Sequence, residues 1–227
     1  MAFYQKPAPA RPQWPLAIRP ETVTAEETVI TVRNRPEPWH PLDYIVAHQN
    51  GATLFTVHGH PWGLGQRRVF RDASGLPLFE LRRRWYDSSV LELKLPGAAP
   101  NSDNLLSAKC RVAIRAPRAV LQFRNACVPL NAIPTQKHKH MKSQSQSRMW
   151  SSSNEAEIVM EILAMDVDNL VQVAVVGGQR VAYIDRVMDP GVLAQGQKPP
   201  FRFRPMWTVR VARGVDLALV GRYLAYL

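Results

Sequence analysis

The densest group of residues that could do chemistry in this chain is a run of arginines followed by two aromatic residues, Arg82-Arg83-Arg84-Trp85-Tyr86. Side chains alternate along an extended strand, so Arg82 and Arg84 are predicted to share one face. Arginine can bind a phosphate group with two donors at once, and an anionic headgroup needs several converging cations. With the cations of two neighbouring predicted strands, the candidate ligand-binding residues are Arg82, Arg83, Arg84, Lys94, Arg67 and Arg68. The alternative interpretation is a charged outer face that only keeps the protein soluble.

Two short pairs of residues resemble metal ligands, but each lacks the rest of a site. His58 and His60 could place two imidazoles on one strand face, yet no third ligand is evident and the glycine and proline beside them indicate a turn. Asp166 and Asp168 are not followed by the alternating oxygen ligands and glycine of an EF-hand loop. We therefore expect no metal and no cofactor.

Motifs of the common catalytic classes are missing from the sequence. It contains no Gly-x-Ser-x-Gly elbow, no phosphate-binding glycine loop and no His-Glu-x-x-His zinc motif. Cys127 and a distant histidine could form a nucleophile pair, but Cys127 borders a segment of low complexity. We therefore expect a binding protein and not an enzyme.

The charge balance narrows the class of partner. The 227 residues include 29 Lys and Arg against 18 Asp and Glu, a formal net charge of +11. Such a balance favours polyanions: nucleic acid, anionic lipid headgroups or acidic proteins. No zinc finger, RNA-recognition signature or basic recognition helix is visible, which disfavours nucleic acid.

Cysteine usage and hydropathy indicate the compartment. Cys110 and Cys127 are the only cysteines, too few for a disulfide framework and typical of a reduced intracellular protein. No apolar run approaches the roughly 20 residues of a membrane-spanning helix, and the N-terminus lacks a signal-peptide core. We expect a cytoplasmic protein, with a peripheral membrane or nuclear location as the alternatives.

The elements that must position these residues are predicted to be short strands joined by tight turns. Asn50-Gly51 lies between two strand-like runs, and both positions of such a turn favour a positive φ. Ser89–Leu95 alternates leucines with charged residues, the period of a half-buried strand. Residues 155–165 are rich in good helix formers, but their neighbours favour a strand.

Two segments interrupt this pattern. Residues 1–27 contain five prolines and predict a disordered N-terminal tail. Residues 126–154 are basic and rich in Ser and Gln, cannot bury enough apolar surface to fold, and predict a disordered insertion. The remainder of 28–227 is predicted to be one domain.

The last fourteen residues, 214–227, predict a helix that is apolar on almost every side, with Asp216 and Arg222 as its only charges. Such a helix must be buried all round, with Leu217, Leu219, Val220 and Leu224 in the core. A closed barrel removes exposed strand edges, and a barrel of about twelve strands is too wide for its own side chains to fill. The predicted fold class is therefore mainly β: an antiparallel barrel of about twelve strands, closed around a central C-terminal apolar helix.

Three stretches carry a resemblance to the LURP-one-related family, within the tubby C-terminal-like superfamily. They are Asp43–Val46 with Asn50-Gly51, Arg67–Phe79, and Trp207–Val220. The resemblance implies a twelve-stranded barrel around a central helix. Tubby domains, which bind phosphoinositide headgroups, and phospholipid scramblases are relatives of this family, and its plant members are associated with pathogen defence.

Residues and resemblance together predict a non-enzymatic intracellular binding protein. The first hypothesis is recognition of an anionic phospholipid, a phosphoinositide in particular. The second is a protein–protein scaffold in stress, defence or transcriptional signalling. The third hypothesis is a scramblase-like role. The sequence gives it no support, because it shows neither a membrane span nor an acylation-prone cluster of cysteines.

Overall fold

A computed structural model describes residues 7–35, 43–60, 67–99, 102–112, 117–128, 157–166, 168, 170–187 and 206–224, without the side chains of 111–112, 117–118 and 221–224. Within these ranges twelve antiparallel strands form one closed barrel, and one helix follows the last strand. The strands are β1 Thr28–Asn34, β2 Tyr44–His48, β3 Thr53–Gly59, β4 Arg68–Asp72, β5 Pro77–Arg84, β6 Asp87–Lys94, β7 Leu106–Val112, β8 Pro117–Arg124, β9 Glu157–Ala164, β10 Val171–Val176, β11 Gln179–Val187 and β12 Met206–Val211. The helix α1 spans Leu217–Leu224, and a 3₁₀ turn spans Pro20–Thr22. The predicted fold class is confirmed.

The barrel is an up-and-down meander that closes between its first and last strands. Each strand pairs with its neighbours in the chain, and β1 also pairs with β12, with Ile30 opposite Val209. Closure therefore leaves no free edge among the described strands. The helix-forming residues of β9 are held as a strand between β8 and β10, so cross-strand pairing overrides their local preference.

Glycines with positive φ form two of the connections, and the first of these is the turn predicted at Asn50-Gly51. Gly51 has a φ of 88°, in the left-handed region where glycine lacks the steric penalty of other residues. Gly177 and Gly178, between β10 and β11, have φ values of 56° and 82°. These short hairpins fix the register of the strands that they join.

The helix α1 contributes side chains to the same core as the inward faces of the strands. Leu217, Ala218, Leu219 and Val220 are buried in one cluster with residues such as Ile30 of β1. The helix begins later than predicted, because Gly214 has a φ of 86° and both Val215 and Asp216 form bridges with the N-terminal segment. Residues 225–227 and the side chains of Arg222 and Leu224 lie outside the described residues.

Part of the N-terminal segment packs across the end of the barrel where α1 begins. Leu16, Ala17 and Ile18 are buried, and the Ala17 N–H donates to Asn125 Oδ1 at 3.1 Å. The Asn125 amide in turn donates to the Pro15 carbonyl at 2.8 Å. This packing differs from the disordered tail predicted for residues 1–27, because a short apolar run among the prolines finds partners that are distant in sequence. Residues 1–6 and 129–154 lie outside the described ranges, so the predicted insertion stays a prediction.

The buried carboxylate of Asp216 joins this segment to the start of α1. It accepts hydrogen bonds from the Ile18 N–H at 3.1 Å, the Arg19 N–H at 3.2 Å and the Thr22 hydroxyl at 2.5 Å. It also accepts from the Ala218 N–H at 2.7 Å, as an N-cap residue does. A buried charge is tolerated where hydrogen-bond donors replace water in this way.

We expect Asp216→Asn to lower the free energy of unfolding by about 3 kcal/mol. The substitution removes the charge and turns an amide group toward four donors, and hydrogen bonds to a charged group contribute about 1.5–3 kcal/mol each. Urea unfolding followed by circular dichroism measures the change. The matched control is Asp168→Asn, at an exposed position in the β9–β10 connection, which should change stability by less than about 0.5 kcal/mol. Equal effects of the two substitutions would contradict this role of Asp216.

Candidate functional site

The β5–β6 hairpin presents the arginine run and its two aromatic residues. The register places Arg84 opposite Asp87, which leaves Trp85 and Tyr86 as a two-residue turn. Asp87 stabilises the return strand by accepting hydrogen bonds from the Ser89 N–H at 3.0 Å and the Ser89 hydroxyl at 2.6 Å. These hydrogen bonds, the one from the hydroxyl first, hold the pKa of Asp87 below its usual value, so this carboxylate is ionised at neutral pH.

Strand alternation divides the six candidate residues between the two faces of the barrel. Phe79 and Leu81 belong to the buried core, so Arg83 continues the inner face while Arg82 and Arg84 lie on the outer face. Arg68 lies opposite inward-facing Leu81 in the register. The Arg68 guanidinium lies 5.8 Å from the centre of the Tyr44 ring and is buried. Arg68 and Arg83 are therefore separated from the four cations of the outer face.

Glu80 lies at the centre of the outer group and is buried. Its carboxylate forms an ion pair with Arg67 and accepts hydrogen bonds from Arg82 Nε at 2.9 Å and Arg82 Nη2 at 2.5 Å. The register places Lys94 directly opposite Glu80 on β6, and Lys94 Nζ donates to the Ser102 carbonyl at 3.0 Å. One carboxylate thus holds two guanidinium groups side by side.

A second carboxylate, Glu92, holds Arg84. Arg84 Nε donates to Glu92 at 2.7 Å, Arg84 Nη2 makes a second bond to the same oxygen, and both side chains are largely buried. We call Arg67, Arg82, Arg84 and Lys94 with Glu80 and Glu92 the outer arginine cluster. The cluster contains four cations and two carboxylates, so it retains positive charge.

The exposed fraction of each side chain indicates which members of this cluster a ligand could reach. The Arg67 and Arg82 side chains are 48% and 35% exposed, whereas Lys94 is buried.

Sequence reasoning missed Glu80 and Glu92. The alternation of Glu80, Arg82 and Arg84 along β5 was the available signal for Glu80, since residues two apart share a face. Ligand binding by the six candidate residues stays a prediction.

The histidine and aspartate pairs have local partners. His58 Nδ1 lies 3.6 Å from Asp43 Oδ2, and Asp43 Oδ1 accepts a hydrogen bond from the Gly59 N–H at 2.8 Å. Asp166 accepts from the Leu170 and Val171 N–H groups at 3.1 and 3.0 Å, so its carboxylate stabilises the connection between β9 and β10. In the described part of the chain, no group of three or more His, Cys, Asp or Glu residues could hold a metal ion.

A model of the LURP-one-related family matches residues 28–221. The chain belongs to the LURP-one-related family. Among curated relatives, Protein LURP-one-related 9 of Arabidopsis thaliana is 34% identical over 84 residues, which cover 35% of this chain and 41% of the relative's length. The chain thus matches less than half of that LURP-one-related protein.

The barrel also resembles a solved structure. An X-ray structure of a protein from Arabidopsis thaliana aligns with a TM-score of 0.56 and 15% identity, over 94% of this chain and 96% of the other. At that identity the likeness shows the fold alone. No helix in the described ranges is long and apolar enough to cross a membrane.

We expect Glu80→Gln to lower the free energy of unfolding by about 2 kcal/mol. The substitution removes the charge that holds Arg67 and Arg82 and turns amide donors toward their guanidinium groups, and hydrogen bonds between charged groups contribute about 1.5–3 kcal/mol. Urea denaturation measures the loss. Glu157→Gln, at an exposed position on β9, is the control and should leave stability within about 0.5 kcal/mol of the original. The assignment of Glu80 fails if both variants unfold at the same urea concentration.

The pKa of His58 is expected to lie below its ordinary value of 6.5. Burial, the largest effect, disfavours the imidazolium form and outweighs the attraction of Asp43, while Arg35, Arg71 and His60 lower the pKa further. Between the lowered pKa and 6.5 the unfolded chain binds more protons at this site, so the contribution of His58 makes stability rise with pH across that window and stay constant on either side of it. NMR titration of the His58 ring measures the midpoint. Asp43→Asn should lower it further, and a midpoint above 6.5 would contradict the prediction.

Proposed function

We propose that this LURP-one-related protein is a non-enzymatic binding protein that reversibly recognises anionic headgroups, phosphoinositides in particular, at membrane surfaces. The observation that carries this proposal is the pairing of Arg67 and Arg82 on the single carboxylate of Glu80. Two partly exposed guanidinium groups are thereby positioned together on the outer face of the barrel.

The geometry of Arg82 supports binding of a further anion. Its Nε and Nη2 atoms face Glu80, but a guanidinium group has five N–H donors on three nitrogens. Glu80 therefore orients the group without using all of its donors. A phosphate that contacts Arg67 and Arg82 finds them already placed, so less conformational entropy is lost on binding.

Charge supports the same class of ligand. The outer arginine cluster contains two more cations than carboxylates, and the whole chain carries a net charge of +11. Positive charge of this kind attracts anionic lipid surfaces over several ångströms, within the Debye length of the solution. The kinship with tubby domains, which bind phosphoinositide headgroups, is a fold-level analogy that points the same way.

We expect Arg67→Ala and Arg82→Ala, each made singly, to weaken binding to phosphoinositide vesicles about fivefold, since each cation contributes about 1 kcal/mol near an anionic membrane. The single substitutions leave Glu80 one arginine partner, which limits the damage to folding. Co-sedimentation measures binding to neutral phosphatidylcholine vesicles and to the same vesicles with phosphoinositide or with phosphatidylserine at equal total charge.

The matched control is Arg186→Ala. Arg186 is an exposed arginine on β11, six strands around the barrel from β5, so the substitution removes the same charge from the opposite side. Equal pelleting on neutral and phosphoinositide vesicles would reject the proposal. An equal loss in the control would show that only net charge matters. Binding to no vesicle would leave the charged face to an acidic protein partner, as in the scaffold hypothesis.

A further inference from the structure

The turn between β5 and β6 exposes two large aromatic side chains at its tip. We infer that Trp85 and Tyr86 insert into the interfacial layer of an anionic bilayer and orient the barrel with this end toward the membrane. The inference rests on the proposed function, and it names the element that contacts the lipid.

The exposure of this pair is the first observation. Trp85 is 80% exposed and Tyr86 is 59% exposed, although large aromatic side chains are mostly buried in folded proteins. Trp and Tyr each combine an apolar body with a polar tip, and both are enriched where membrane meets water. A two-residue turn that presents both is suited to that layer.

The pair is ordered without being buried. The two rings lie edge to face, with centres 5.3 Å apart and planes at 83°. The Arg84 guanidinium lies 5.2 Å from the centre of the Tyr86 ring, and Glu92 holds Arg84 in place. The tip is thus prearranged, and its insertion would require little loss of side-chain freedom.

The tip lies far from the N-terminal segment. The N-terminal segment covers the end of the barrel at which α1 begins and β1 starts, since Thr28 pairs with Val211. Successive strands run in opposite directions, so β5 runs away from that end and finishes at the far one. Trp85 and Tyr86 therefore project from the end opposite the N-terminal segment.

Charge around the tip favours a lipid surface over a protein partner. Arg82 and Arg84 lie on the outer face within three residues of Trp85, and Arg67 shares Glu80 with Arg82. Asp87 is the carboxylate at the base of the turn, opposite Arg84. A convex turn of two residues, flanked by arginines, complements a negatively charged plane more simply than it fills a pocket. The arginines would contribute an electrostatic binding energy that salt screens. The aromatic rings would contribute a hydrophobic binding energy that salt does not screen.

The test combines vesicle binding with tryptophan quenching. Trp85→Ala/Tyr86→Ala should lower the partition coefficient on phosphoinositide vesicles roughly tenfold, the effect of leaving one large apolar side chain unburied. The loss should persist at high salt, unlike that of Arg82→Ala. Lipids brominated near the headgroup should quench the emission of the original protein, and Trp85→Phe should abolish most of that quenching.

Trp14→Ala is the matched control, because Trp14 is a partly exposed tryptophan in the N-terminal segment at the other end of the barrel. It should bind as the original protein does. Circular dichroism and urea unfolding show whether the tip variant is folded, which an exposed turn should allow.

The outcomes separate this inference from the proposed function. If the original protein binds neutral and phosphoinositide vesicles equally, or neither, both ideas fail. If binding depends on Arg67 and Arg82 while the tip variant binds unchanged and Trp85 is not quenched, only this inference fails. If the tip variant binds vesicles normally but no longer binds a protein partner, the tip is a protein contact and this inference is also overturned.

Discussion

The buried carboxylate of Asp216 is the contact that fixes both the N-terminal segment and the start of α1 at one end of the barrel. It receives donors from the N-terminal segment and from the first turn of α1, so one charge joins residues almost the whole chain apart. A twelve-stranded barrel needs an internal helix because its own side chains cannot fill its width. The helix must start at a defined depth and angle, and Asp216 sets that start through the segment that covers the barrel end.

Glu80 is also a buried carboxylate, but its hydrogen-bond partners differ from those of Asp216. Asp216 is satisfied largely by backbone N–H groups, so its hydrogen bonds serve the fold alone. Glu80 is satisfied by arginine side chains that remain partly exposed to solvent. Removing an arginine from Glu80 therefore affects both stability and the surface charge, whereas a change at Asp216 affects stability only. Stability measured alongside binding separates these two consequences.

The sequence predicts the barrel well because the determining signals are local. Alternation in Ser89–Leu95, the Asn50-Gly51 turn and the apolar C-terminal helix each follow from neighbouring residues. The N-terminal segment could not be predicted in this way, since its hydrogen bonds join Ala17 to Asn125 and Ile18 to Asp216, more than a hundred residues away. The late start of α1 has the same cause. The candidate site was predicted as a set of cations, but the carboxylates that arrange them depend on cross-strand register, which no single strand reveals.

The presence of Glu80 and Glu92 within a basic face decides how that face can act. Without them, Arg67, Arg82 and Arg84 would repel one another and sample many rotamers, so a ligand would have to order them. With them, the positive charge is smaller but fixed in position. A fixed and partly neutralised cluster loses long-range attraction and gains specificity of geometry, because the guanidinium donors are already aligned when a phosphate arrives. Under the proposed function, such a surface is expected to favour a compact, multiply charged headgroup over a diffuse negative charge. The neighbouring aromatic turn would complement this cluster. Glu80 and Glu92 weaken its electrostatic attraction to an anionic surface, and contacts of the aromatic rings would make up for that loss.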